Sequence, residues 1–206
     1  ATITQDPSFS SEVRYTFTAP QNGVLYLRLL NKRPAAAGVN GVYELLVQAL
    51  NAELKVGALI IVAGQFKFND DLQKNIHNVT DRIYRLWRSR GYSADRIYYL
   101  AVDQARDPSG DKISDVNGLP TVANLRSAIT TWAADKVGPD QPLTVYLVDH
   151  GEEDQFFLDN PRGEVLRPTD LDDWLDQLTA AQPETPINVI IEACKSGSFI
   201  IAPNSI

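Results

Sequence analysis

Cysteine is almost absent: the chain of 206 residues contains one, Cys194. That excludes an internal disulfide framework and any zinc site built from several thiolates. Histidine is nearly as scarce, with only His77 and His150. No apolar run approaches the roughly 18 residues a membrane span needs, and residues 57–64 (GALIIVAG) stop far short. Cations are in deficit, 19 Lys and Arg against 26 Asp and Glu, for a net charge of −7. Without a basic stripe to neutralise phosphates, a nucleic-acid partner is not expected, and the negative charge reads as a solubility feature. The first residue is Ala1 rather than Met, and nothing after it has the charged-then-apolar form of a signal peptide, so Ala1 reads as a processed or engineered start.

What remains is ordinary globular composition, with 44% hydrophobic residues. The length suits one good-sized α/β domain, or a domain with part of another. Periodicity divides the chain in two. Over residues 12–54 the spacing is that of strands: Val13, Tyr15 and Phe17 alternate, Asn22-Gly23 is a turn signal, and residues 24–30 and 42–50 read as further strands. Residues 1–54 are therefore expected to form a β-sandwich fragment, too small to stand securely alone. Residues 55–206 alternate strand and helix. Continuous apolar strands are expected at residues 56–64, 96–102, 142–148 and 186–192. Helices are expected over residues 70–90, stopped by Gly91, then after a Thr121 cap, then after a capping box formed by Thr169 and Asp172. Phe156–Leu158 and Val165–Leu166 suggest a hairpin. This order predicts an α/β fold, a mostly parallel sheet with helices on both faces.

In such sheets reactive groups gather beyond the carboxyl ends of the strands. The third strand runs into Asp149-His150-Gly151 and the fourth into Ala193-Cys194. The intervening chain has room for one hairpin and one crossover helix, so the two strands can be neighbours. A thiol needs a basic partner or a helix N-terminus to become a nucleophilic thiolate, and the Ser- and Gly-containing segment after Cys194 is expected to become a helix. Backbone N–H groups of Gly151 and Cys194 can serve as oxyanion donors, and His150 can protonate a leaving amine. On spacing alone, a structural cysteine with a surface histidine explains the pattern equally well.

Asp149-His150-Gly151 followed by Ile191-Glu192-Ala193-Cys194, then Ser196-Gly197-Ser198, resembles the legumain family of cysteine peptidases, in the clan that also holds caspases and gingipains. Those enzymes carry His-Gly and Glu-Ala-Cys-x-Ser-Gly-Ser after successive strands. The first-strand sequence Ile60-Ile61-Val62-Ala63-Gly64 is also similar, and the resemblance covers about residues 55–200. It implies a caspase-like fold and a cysteine endopeptidase acting through a thioester, with Cys194 as nucleophile and His150 as acid/base. It further implies an oxyanion hole at Gly151 and Cys194, a substrate pocket near Glu192 and Ser196, no required cofactor, and a peptide or protein substrate. The family's Asn and Arg after the first strand are missing. Here that stretch is residues 65–71 (QFKFNDD), with Asn69 and Lys74 the nearest stand-ins. Without the Arg, Glu192 could favour Arg or Lys over Asn before the cut. The resembling fold also continues past this point with strands that complete the sheet, so the chain reads as a fragment whose missing C-terminal segment is needed to cover an open edge. Residues 1–54 are similar to accessory sandwich domains of secreted bacterial peptidases, which implies a secreted or extracytoplasmic location.

A second constellation is acidic. Asp107, Ser109, Asp111 and Asp115 fall at positions one, three, five and nine of an EF-hand-like loop, making calcium a candidate ligand. Lys112 stands where glycine is usual and Gly118 where the closing glutamate belongs, so a solvated acidic loop is the competing reading. His77 reads as a surface or boundary residue of the first helix. The Asn78-Val79-Thr80 sequon sits inside that helix, and Tyr84, Trp87 and Tyr92 read as packing. Two other functions fit the motifs: an inactive caspase-like interaction module, and a zymogen controlled by calcium.

Overall fold

Four apolar runs become the strands of one sheet, in a computed structural model that describes residues 56–200. The sandwich expected over residues 1–54 lies outside the described residues. In chain order the elements are β1 (Ala58–Ala63), α1 (Gln73–Ser89), β2 (Ile97–Ala101), α2 (Val122–Ser127), β3 (Leu143–Val148), β4 (Gly151–Glu152), β5 (Gln155–Asp159), β6 (Glu164–Leu166), α3 (Pro168–Ala181) and β7 (Ile187–Glu192). The main sheet has the order β2-β1-β3-β7, and every pairing in it is parallel. A parallel sheet needs crossovers, and the helices supply them on both faces.

β1 shows why its run carries no polar break: all six residues are buried, with alternate side chains entering two different cores. Leu59, Ile61 and Ala63 meet Ile76 and Tyr84 of α1. Ala58, Ile60 and Val62 share a core with Leu125 of α2 and Leu171, Trp174 and Leu178 of α3. Burying each such aliphatic side chain contributes about 1.5–3 kcal/mol. Gly57 lets the chain enter β1 against Pro142: a Cβ there would lie 1.8 Å from the Pro142 carbonyl oxygen.

Local signals account for most boundaries. Thr121 caps α2 by accepting from Asn124 N at 3.1 Å, after which the helix widens into a π turn over Ala128–Trp132. α1 ends before Gly91, whose φ of 94° suits glycine. The Thr169–Asp172 capping box does not form. α3 begins at Pro168, with Arg167 rather than Thr169 at its N-cap and no side-chain cap. Proline at the first helical position has its φ already set and lacks the N–H a cap would satisfy, so it displaces Thr169 into the first turn. A hairpin does follow β3, but as a three-stranded antiparallel sheet, β4-β5-β6, whose first two-residue strand was not expected. β5 also meets the chain leaving β1: Gln65 N donates to Leu158 O and Asn160 N to Gln65 O, both at 2.9 Å.

β7 lies at the end of the main sheet. Among the described residues nothing pairs with its outer edge, and Val189 and Ile190 are 38% and 39% exposed on its two faces. A groove of about 250 Å³ runs between α3 and β7, lined by Leu171, Leu175, Val189, Ile191, Phe199 and Ile200. Among the described residues no helix is long and apolar enough to cross a membrane.

Candidate active site

The register of β3 and β7 assembles the site. Val148 pairs with Glu192, and Asp149 N donates to Glu192 O at 3.3 Å, carrying the pairing past the strand ends. His150 and Cys194 therefore leave neighbouring strands at the same edge, an arrangement the spacing allowed. Gly151 shows how closely the two segments approach. A Cβ there would fall 2.6 Å from the Cys194 carbonyl oxygen and 3.1 Å from Ala193 Cβ, so only glycine fits. Cys194 is a free, exposed thiol. The segment after it does not become a long helix: Ser196–Phe199 forms one 3₁₀ turn, entered through Lys195 in the left-handed conformation (φ 59°). Ser196 opens that turn, half-buried.

His150 is held by the chain that leaves β1. The Phe66 ring lies 4.8 Å from the imidazole, centroid to centroid, and 5.1 Å from Phe157. Phe66 is anchored by Asn160 Nδ2 donating to its carbonyl at 3.0 Å. Asp70 Oδ2 stands 3.2 Å from His150 Nε2, an ion-pair distance without hydrogen-bond alignment. The Asp70 side chain is 4% exposed, and its other oxygen accepts from Leu72 N at 3.0 Å, which fixes the carboxylate. Gln73 ties the following turn down by donating to Gly64 O at 2.8 Å. The residue that meets His150 from this stretch is thus Asp70, rather than Asn69 or Lys74.

Asp149 is the electrostatic anomaly. It is buried, and neither carboxylate oxygen has a hydrogen-bond partner among the described residues. Burial pushes its carboxyl up to about 7, the His150 backbone N–H draws it down, and the charge of Asp70 raises it again. Glu192, two residues before Cys194, is exposed at the end of β7 and accepts a hydrogen bond from the Tyr146 hydroxyl. Burial, and then that contact, push the Tyr146 phenol up.

The acidic loop has another use for its carboxylates. Asp107 accepts the backbone N–H groups of Gly110, Asp111 and Lys112 at 2.7–3.2 Å, and the Ser109 hydroxyl at 3.0 Å. Asp111 accepts from Ile113 N at 2.8 Å, and Asp115 takes Ser109 N and the Tyr84 hydroxyl. Asp107, Ser109, Asp111 and Asp115 are not brought together as a ligand shell. Among the described residues no three His, Cys, Asp or Glu side chains converge to hold a metal. His77 is buried rather than at the surface, 3.1 Å from Gln73 Nε2, and burial lowers its pKa. Thr80 of the sequon is fully buried. Tyr84, Trp87 and Tyr92 pack beneath α1 as expected.

Sequence reasoning missed Asp70 and Tyr146. Asp70 had a faint signal, an acidic pair ahead of an amphipathic helix just after the first strand. Tyr146 was hidden in an apolar strand, and its meeting with Glu192 follows only from the parallel register.

No curated protein matches the chain. Residues 123–206 match the model of the Peptidase C13 family, a stretch that contains His150, Gly151, Glu192 and Cys194, and this match supports a legumain-like cysteine peptidase assignment.

Proposed function

We propose that this chain is a cysteine endopeptidase with Cys194 as nucleophile and His150 as general acid/base. The observation that carries the reading is the meeting of His150-Gly151 with Cys194 at the ends of paired strands. The Cys194 thiol gives its proton to His150, and the thiolate attacks the scissile carbonyl carbon. Backbone N–H groups of Cys194 and Gly151 stabilise the resulting oxyanion. The C–N bond breaks as His150 returns the proton to the departing amine, leaving a thioester. Water then attacks the thioester, its proton passes through His150 to the sulfur, and the carboxylic acid departs. Asp70, against Nε2, leaves Nδ1 as the nitrogen that exchanges protons with Cys194. The short 3₁₀ turn after Cys194 offers little helix dipole, so thiolate formation depends on His150. The chemistry requires no cofactor.

Glu192 bears on the residue before the cut. Its partner is a neutral phenol, and the structure pairs it with no cation among the described residues, so its charge is uncompensated. An Arg or Lys side chain answers that charge better than Asn. The substrate is a peptide or protein, and a further segment pairs with the outer edge of β7 to complete the pocket wall. The test is cleavage of a peptide library by the full-length protein, with Cys194→Ala as control. Cuts after Arg and Lys that vanish in the variant are expected. Cleavage that survives Cys194→Ala would sink the reading.

The exposed Val189 and Ile190 beside an unpaired edge favour a second reading, an inactive caspase-like interaction module. It requires Cys194 to alkylate no faster than an ordinary thiol and the library to stay uncut. A calcium-controlled zymogen draws less support, since Asp107 is already satisfied by backbone donors.

A further inference from the structure

The turn that presents Cys194 and the hairpin that follows His150 share one more contact, away from the reacting atoms. Ser198 Oγ donates to Lys195 O at 2.8 Å and accepts from Asp154 N at 2.9 Å. Asp154 is at the tip of the β4–β5 hairpin, and Lys195 directly follows the nucleophile. Both residues adopt positive φ, 58° and 59°, conformations that non-glycine residues hold only when their surroundings impose them. We propose that Ser198 is a positioning residue, a clip that sets the Cys194 turn against the hairpin bearing His150 and Gly151. The inference rests on the peptidase reading above.

Three features support a positioning role. A hydroxyl is among the few side chains that can donate and accept at a single atom, and both capacities are used here. The turn does not need the hydroxyl to close, because Ser198 N also donates to Lys195 O at 2.9 Å. The hydroxyl is thus the part that reaches across to the hairpin. Finally, the two segments already touch where Gly151 abuts the Cys194 carbonyl. One contact leaves a pivot, whereas two fix an orientation. Thiol and imidazole must be aligned to within a fraction of an ångström, and a misplacement of about 1 Å can cost on the order of a hundredfold in rate.

The experiment compares Ser198→Ala, Ser198→Thr and Ser198→Val in the full-length protein, with Cys194→Ala as the blank. The readouts are kcat and KM on a cleaved peptide and the pH profile of Cys194 alkylation. Thr and Val have the same shape and differ only in the hydroxyl, so any folding cost of the larger side chain is shared. Ser198→Ala and Ser198→Val should lose about tenfold in kcat with KM held within twofold. In both, the alkylation profile should move toward that of an isolated thiol, while Thr keeps most of the activity. Wild-type kcat in Ser198→Ala, with Cys194→Ala inactive, would overturn the clip and leave the peptidase reading intact. Equal losses in Thr and Val, tracking the folded fraction, would also overturn it. Activity surviving in Cys194→Ala would overturn the underlying reading and this inference with it.

Discussion

Asp149→Asn should stabilise the protein, and increasingly so as pH rises. Asp149 is 6% exposed, and its carboxyl is pushed from an ordinary 3.8 to about 7, chiefly by burial. The folded state therefore holds a proton that the unfolded chain releases near pH 4. Between about pH 4 and 7 the folded state binds more protons, so stability from this site falls as pH rises through that window and the penalty is complete above it. A shift of about three units at ~1.4 kcal/mol each gives a penalty of about 4 kcal/mol. Asparagine cannot ionise and escapes it. In a domain of this size, that corresponds to roughly 10 °C in melting temperature. Urea unfolding followed by circular dichroism at pH 4, 6 and 8 would read it. The gain should be near zero at pH 4 and largest at pH 8. His150 directly follows Asp149, so the series should be repeated in a His150→Gln background. A gain of the same size at every pH would refute the reasoning, because it would reflect packing rather than a buried charge.

Other perturbations follow from the same geometry. Gly151→Ala would push a methyl group to 2.6 Å from the Cys194 carbonyl oxygen. It should abolish peptide cleavage while far-ultraviolet circular dichroism stays native, and full activity would contradict the tight approach. Arg106 donates from Nε to Asp81 Oδ1 at 3.0 Å and pairs through its terminal nitrogen with Oδ2, and Asp81 is buried under α1. Arg106→Ala leaves that carboxylate with the Tyr99 hydroxyl but without its counterion, and should cost about 3 kcal/mol in urea unfolding, discounted toward 2 for the partial exposure of the pair. Asp107→Ala frees several backbone N–H groups and should open residues 103–117 to limited proteolysis equally with and without calcium. Protection of that loop by calcium in the unmutated protein would revive the ligand reading.

The parallel core was legible because its physics is local. A strand buried on both faces must be apolar throughout, and residues 58–63, 97–101 and 143–148 have no other way to be satisfied. β7 carries the same type of sequence yet is largely exposed, since composition reports what a strand can bury and not what lies beside it. His150 and Cys194 were legible because each sits directly after such a strand. The sequence offers Gly151 as a candidate amide donor, but its need to be glycine comes from the Cys194 carbonyl, across the sheet. Asp70 and Ser198 act between segments far apart in sequence, where periodicity carries no information. The acidic loop shows the reverse failure. Four oxygen-bearing residues at suggestive spacing look alike whether they face a cation or their own backbone, and here Asp107 folds inward onto three successive N–H groups.

The surroundings of His150 are costly to fold. Asp70, Asp149 and Asp159 are all buried close to the junction of β1, β3 and β5. Asp159 has Arg162 as a counterion, while Asp149 has none among the described residues and stays neutral up to about pH 7. Asp70 has Leu72 N on one oxygen, and among the described residues the imidazole of His150 is the ionisable partner beside the other. A fold selected for stability alone would place apolar groups there, because a buried carboxylate without a partner costs more than it returns. The arrangement becomes useful once His150 carries a proton. On the proposed mechanism, imidazolium forms with the thiolate and then has the Asp70 carboxylate beside it, 3.2 Å from Nε2, before it donates to the leaving amine. Removing the carboxylate charge with Asp70→Asn should therefore stabilise the resting protein yet slow acylation more than deacylation. In the mechanism proposed above, acylation is the half-reaction that starts from a charged thiolate–imidazolium pair. Pre-steady-state release of a chromogenic amine separates the two steps. Equal slowing of both would mean that Asp70 only packs against the ring.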